Sequence, residues 1–249
     1  MDAKSVGFCG RERGGRMEKT ECGAAALLLD LLFPEKCPFC RKLLQKQEEH
    51  LCVHCRRTLP WLEGERGHRK VDFAEGCFSP LAYTGAAVDA VHRYKFSAVR
   101  AYARPFGALM AQCVLQQVPN RADVVCWVPL SRKRLRRRGY DQSRLLGEQV
   151  AQRLGLPLIA ALEKVRQGDV QSRLEQDSAR RANVQGAYRV TQPELVAGKR
   201  ILLVDDVVTS GATLGECALQ LRLAGAQEIR CVTLCSARRE EKEKSGGKN

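Results

Sequence analysis

Apolar residues follow two spacings along this chain. Short apolar runs occur at 77–83, 123–130 (DVVCWVPL), 157–162, 187–190, 200–205 and 229–234, and each predicts a strand. Between them the period lengthens. Phe106, Leu109, Met110, Cys113, Val114 and Val118 fall at helical spacing and predict an amphipathic helix over 102–118. Leu146, Val150 and Leu154 do the same for 143–154. Leu214, Cys217, Ala218 and Leu221 recur at i, i+3, i+4 and i+7 and are followed by Gly225, a helix stop. Residues 24–33 and 86–96 read as two more helices. Strands alternating with helices predict an α/β fold, a largely parallel sheet with helices on both faces.

Four stretches lack any apolar period. Residues 1–16 are expected to be disordered, and Met17 is an alternative start that intact mass of native material would identify. Residues 61–76 read as a linker or an outer strand. Residues 164–183 are polar and basic, which suits either a mobile lid or a plain surface segment. Residues 238–249 form a charged tail expected to be disordered. The predicted organisation is therefore a poorly ordered lead (1–26), a cysteine-rich module (27–62), an α/β domain (63–237) and a tail (238–249).

The stretch 199–214, KRILLVDDVVTSGATL, carries the sharpest chemistry. An apolar run meets two adjacent acids, Asp205 and Asp206, then Val207 and Val208. The small, hydroxyl-rich turn Thr209, Ser210, Gly211, Ala212, Thr213 follows, and then a helix. Such a turn offers backbone N–H groups at a helix N-terminus, where the dipole favours an anion, most often a phosphate. The acids repel that phosphate but accept hydrogen bonds from neighbouring sugar hydroxyls. Ribose 5-phosphate fits the whole set. An ordinary core strand ending in an acidic turn is the simpler alternative, although paired acids at the end of a buried strand are costly without a partner. Neither GxxxxGK[ST] nor a GxGxxG after a strand is present.

Composition adds three points. The 249 residues suffice for one ordinary domain plus an appendage, and 44% hydrophobic content supports a packed core. A formal charge of +14 fits a polyanion partner, whether nucleic acid, nucleotide or pyrophosphate. Twelve cysteines are present. Cys37 and Cys40 (CPFC) precede Cys52 and Cys55 (CVHC), a spacing that delivers four thiolates to a tetrahedral ion, and Zn²⁺ prefers that set. His50 and His54 are adjacent alternative ligands, and two redox pairs or inert thiols are the competing reading. A full Cys₄ set leaves no open position, so such a zinc would be structural. Cys113, Cys126, Cys217, Cys231 and Cys235 sit in apolar segments and read as core thiols in a reducing compartment. Cys9, Cys22 and Cys77 carry no pattern. No segment is long and apolar enough for a membrane span, and residues 24–33 lack a cleavage site, so a cytoplasmic location is expected.

Six of the seven residues from 132 to 138 are basic. Such a run is usually a solvated face or a nucleic-acid patch. Here it follows a core strand, where ligands bind in open α/β sheets. Part of the run reads as facing an anion and part as surface. Ser131, Arg132, Arg138, Gly139 and Gln142 are the candidates for the anion-facing part.

The string LLVDDVVTSGATL resembles the phosphoribosyl-pyrophosphate (PRPP) motif of type I phosphoribosyltransferases. CPFC…CVHC, YKF at 94–96, VPLSRKRLRRRGYDQS, ARRANVQGAY at 179–188 and the phosphoribosyl loop occur in the order seen in the ComF family. Its members are bacterial competence-associated proteins with an N-terminal Cys₄ zinc ribbon on a type I phosphoribosyltransferase fold. The resemblance covers residues 27–237. It implies a 5-phosphate on residues 209–213 and ribose hydroxyls on Asp205 and Asp206. It further implies pyrophosphate near the loop after Leu130, and Mg²⁺ bridging PRPP oxygens. The implied chemistry is displacement of pyrophosphate at C1′ of the sugar, and the other role it implies is handling of single-stranded DNA alongside competence-machinery proteins. One position departs from the family pattern: Asp141 stands where many relatives carry Asn.

Overall fold

The computed structural model describes residues 34–97, 99–118, 122–165 and 186–237. The expected helix at 24–33, residues 1–16, nearly all of the 164–183 stretch and the tail from 238 lie outside them. The sheet domain and its cysteine-rich module belong to one compact unit, which starts at Lys36.

The frame is a seven-stranded sheet with β8 (Arg200–Val208) at its centre. On one side of β8 lie β4 (Val124–Trp127) and then β5 (Leu158–Ile159). On the other lies β9 (Glu228–Ser236), which also pairs with β2 (Gly76–Phe78) and β3 (Leu81–Ala82). All of these pairings are parallel, while β1 (His68–Arg69) joins β2 antiparallel at the edge. β6 (Leu162–Lys164) and β7 (Tyr188–Val190) form a separate antiparallel pair.

The pleat of β8 sorts its side chains into two cores. Leu202 and Val204 pack with α2 (Ala86–Phe96), α3 (Ala103–Gln117) and α5 (Gln142–Leu154). Ile201 and Leu203 face α6 (Ala212–Leu223) and Tyr188 of β7. A strand covered on both faces must be apolar at successive positions, which is why the sequence shows a run rather than an alternation. α3 and α5 approach closely at Gly107, where a Cβ would lie 2.3 Å from Gln149 Cβ. The five cysteines read as core are buried and free, as is Cys77.

Several boundaries differ from the sequence expectation. The run 77–83 breaks at Ser79-Pro80 into β2 and β3, since proline lacks the N–H a ladder needs. The run 157–162 ends its strand at Ile159, and Leu162 opens β6 in the other sheet. The strand expected over 200–205 continues through Val208, so the acids lie within β8 rather than at its end. The basic run is the largest correction. Residues Arg132–Arg138 form a helix, α4, rather than a loop. Ser131 caps it by accepting from Arg134 N–H, and Gly139 ends it in the left-handed region at φ 74°. Arginine and lysine are good helix formers, and the caps at either end outweigh the repulsion among them.

Candidate functional site

The four ribbon cysteines converge. Their sulfurs all lie within 4.8 Å of one another, with Cys40 Sγ 3.5 Å from Cys52 Sγ. The first knuckle is a tight turn in which Arg41 N–H donates to Cys37 O and Arg41 adopts φ 65°. The second enters α1 (Val53–Thr58), with Cys52 as N-cap accepting from Cys55 N–H. Burial pushes the Cys52 and Cys55 thiols up. The Cys40 thiol is drawn down against burial by the Lys42 backbone and the neighbouring cysteines. Four clustered, unbridged thiols in a segment with little core of its own are a donor set that fits structural Zn²⁺. Histidine takes no part in the cluster, and His54 is exposed on α1. The knuckle docks on the sheet domain through Arg93, whose Nη2 donates to Pro38 O and Phe39 O at 2.8 Å each, and through Phe39 on Phe106.

The second constellation lies within the carboxyl-terminal half of β8. Asp206 is 4% exposed. Its Oδ1 lies 2.6 Å from Lys95 Nζ, and its Oδ2 accepts from Gln142 Nε2 at 3.1 Å. Asp205 is half-buried, and its Oδ1 accepts from Ser143 Oγ at 2.8 Å and from Asp206 N–H. Desolvation, then the charge of Asp206, pushes the Asp205 carboxyl up to about 7. Burial works against the Lys95 ammonium, but Asp206 outweighs it and raises its pKa. The two acids therefore differ: one is a fixed ion pair, the other a poised carboxyl.

The turn after β8 is open. Thr209 is exposed, and Ser210, Gly211, Ala212 and Thr213 are half-buried. Gly211 takes φ 83°, a left-handed conformation that a Cβ would strain, and it starts α6. Ala212 N–H donates to Ser210 Oγ at 3.4 Å, and the remaining first-turn N–H groups have no acceptor within the helix. Val207 and Val208 turn their side chains into the two cores, leaving only backbone to the site.

The five residues expected to face an anion do not act together. Gln142 reaches Asp206 as described. Arg138 stacks over Phe96, with its guanidinium carbon 5.0 Å from the ring centre. Its Nε and Nη1 are buried without a hydrogen-bond partner among the described residues. Arg132 is exposed and pairs with Glu163 at 2.9 Å. Ser131 and Gly139 serve as the caps of α4. Asp141 ties this corner together by accepting from Leu130, Ser143 and Arg144 N–H groups. Lys95, Phe96 and Ser143 escaped sequence reasoning. The Tyr94-Lys95-Phe96 triplet was a visible motif, but only the fold shows three uses for it. Tyr94 is a core residue whose hydroxyl donates to Gln142 O, Lys95 holds Asp206, and Phe96 supports Arg138.

The phosphoribosyl transferase domain family matches residues 141–248, and the double zinc ribbon domain family matches residues 28–69. The chain thus joins a type I phosphoribosyltransferase fold to a cysteine-rich zinc ribbon region. It is 31% identical over 209 residues to the DNA utilization protein YhgH of Salmonella typhimurium, covering 80% of this chain and 89% of the relative. It is 36% identical over 112 residues to Competence protein F of Haemophilus influenzae, covering 44% and 48%. The chain belongs to the ComF family, whose relatives carry DNA-utilization and competence names. Among solved structures, a glutamine PRPP amidotransferase from B. subtilis complexed with ADP and GMP matches at 26% identity with a TM-score of 0.38, covering 54% of this chain. The match spans about a quarter of that structure's own length, 26%. No helix among the described residues is long and apolar enough to cross a membrane.

Proposed function

We propose that this protein binds PRPP or ribose 5-phosphate, with Mg²⁺ arriving on the phosphates, at the end of β8. The observation that carries this reading is an accessible hydroxyl-rich turn that follows the two acids of β8 after only Val207 and Val208. Backbone N–H groups and hydroxyls of residues 209–213 receive the 5-phosphate. Asp205 accepts from one ribose hydroxyl. Asp206, held by Lys95 and Gln142, presents what remains of its carboxylate to the other. Arg138, with two nitrogens lacking a partner, is the cation best placed for pyrophosphate. The reaction this arrangement supports is displacement of pyrophosphate at C1′, in which the protein contributes positioning and charge stabilisation. The domain limits at 62/63 and 237/238, and a cytoplasmic location, belong to the same proposal.

The ³¹P resonance of ribose 5-phosphate tests the turn. It should shift and broaden with the wild type and much less with Thr209→Val/Thr213→Val. An equal response from both proteins would remove the turn from the site.

The basic helix favours a second reading, single-stranded-DNA binding in DNA uptake with competence-machinery partners. Residues 132–137 of α4 are all exposed and five of them are cationic, a surface suited to phosphates in series. Aromatic content of 6% supplies few stacking platforms. The two readings use different surfaces and are compatible.

A further inference from the structure

At the opposite end of β8 from the acids lies a cavity of about 320 Å³. The ends of α3 and α5 and the first residues of β8 and β9 border it, and it opens to solvent beside the exposed Leu115. Val114 and Leu115 form one wall, Leu154 and Leu156 another, and Ile201 and Leu202 line the sheet side. This volume reaches the lower range of small-molecule sites.

The charges in its lining do not cancel. Arg200 is held by Asp123, with Nη2 2.7 Å from Oδ1 and a second hydrogen bond from Nε. Arg230 pairs with Glu228. Arg153 donates only to the Oε1 and backbone carbonyl of Gln149 in its own helix, and it has no acidic partner among the described residues. Burial, and then the charge of nearby Arg104, hold its guanidinium below the ordinary value. A cation in the last turn of a helix is favourable on its own account, but that role needs no cavity beside it.

The geometry points to a second binding site, for a small monoanion with an apolar body, of the medium-chain carboxylate class. Its chain lies against Val114, Leu154 and Leu202, and its head group meets Arg153. The site shares no residue with the phosphoribosyl reading and stands or falls independently of it.

Decanoate is the probe, and decanol, with the same chain and no charge, is the control. Methyl-resolved NMR on the full chain should show decanoate shifting the Val114, Leu154 and Leu202 methyls in a saturable manner. Decanol should bind about tenfold more weakly. Arg153→Met keeps the apolar stem and should bring the two affinities together, while Leu154→Trp should block both ligands. Thermal midpoints of both variants verify that they fold. If either unfolds, Val114→Phe and Arg153→Gln replace them with the same expected outcomes. Absence of shifts at these methyls, equal binding of decanol and decanoate by the wild type, or a preference for decanoate that survives Arg153→Met would each overturn the proposal.

Discussion

Lys95 Nζ lies 2.6 Å from Asp206 Oδ1, and the two side chains are 20% and 6% exposed. One partner sits in the last turn of α2 and the other in the central strand, so the pair fastens a helix end to the edge of the candidate site. Removing Lys95 alone leaves a buried carboxylate held only by Gln142. Lys95→Met should destabilise the fold by about 2–3 kcal/mol. Lys95→Met/Asp206→Leu should recover part of that loss. Chemical denaturation of the three proteins measures it, and a single variant as stable as wild type would show that the pair carries no weight.

Asp205 behaves in the opposite way. Its native carboxyl titrates at about 7, whereas the unfolded value is about 3.9. Between those values the folded state binds more protons than the unfolded one. Stability contributed by this group is therefore full below about pH 4, declines as pH rises, and levels off above 7. Asp205→Asn removes the disfavoured charge while keeping an oxygen for Ser143. Its melting midpoint at pH 8 should exceed that of wild type by about 8 °C or more, and at pH 4 the two should coincide. Scanning calorimetry at both pH values decides, and a lower midpoint at pH 8 would contradict the burial argument.

The cysteine cluster should carry about one zinc per chain in reduced, freshly purified protein. Cys52→Ser should lose the metal and loosen the packing of Phe39 and Arg93 between the knuckle and α2 and α3. Elemental analysis and the near-ultraviolet signal of Trp61, whose Nε1 donates to Arg56 O at 2.8 Å, report both effects. Metal-free protein with an unchanged Trp61 environment would mean that the thiols fold the module unaided.

Arg136 and Arg137 are exposed on α4, whereas Arg138 is half-buried and stacks over Phe96. Arg136→Glu/Arg137→Glu should weaken single-stranded-DNA binding and lower its salt slope, by about 0.7 for each phosphate no longer neutralised. PRPP binding should not change. Arg138→Met should show the converse pattern. Fluorescence anisotropy with a labelled oligonucleotide separates the two, and DNA binding insensitive to the reversal would remove α4 from the DNA surface.

Much of this architecture was legible because both cores impose clear spacing. The apolar run 201–204 read as a strand and is one covered on both faces, and the spacing of the CxxC pairs pointed to the cluster the four thiols form. Other features were hidden for physical reasons. Charge in 132–138 masked a helix whose signal lay in single capping residues, Ser131 and Gly139. The partners of Asp206 come from positions 95 and 142, far apart in sequence, and no local period links them. Asp141, a departure from the family pattern, proved to be the N-cap of α5, its carboxylate accepting from Ser143 and Arg144 N–H groups and also tying in Leu130 N–H.

The end of β8 is where PRPP should bind, and calorimetric titration of PRPP with Mg²⁺ tests this most directly. Wild type should give saturable heat, and Asp205→Ala/Asp206→Ala should bind at least about tenfold more weakly, a loss of about 1.4 kcal/mol. Identical isotherms from the two proteins, or no heat from either, would contradict it.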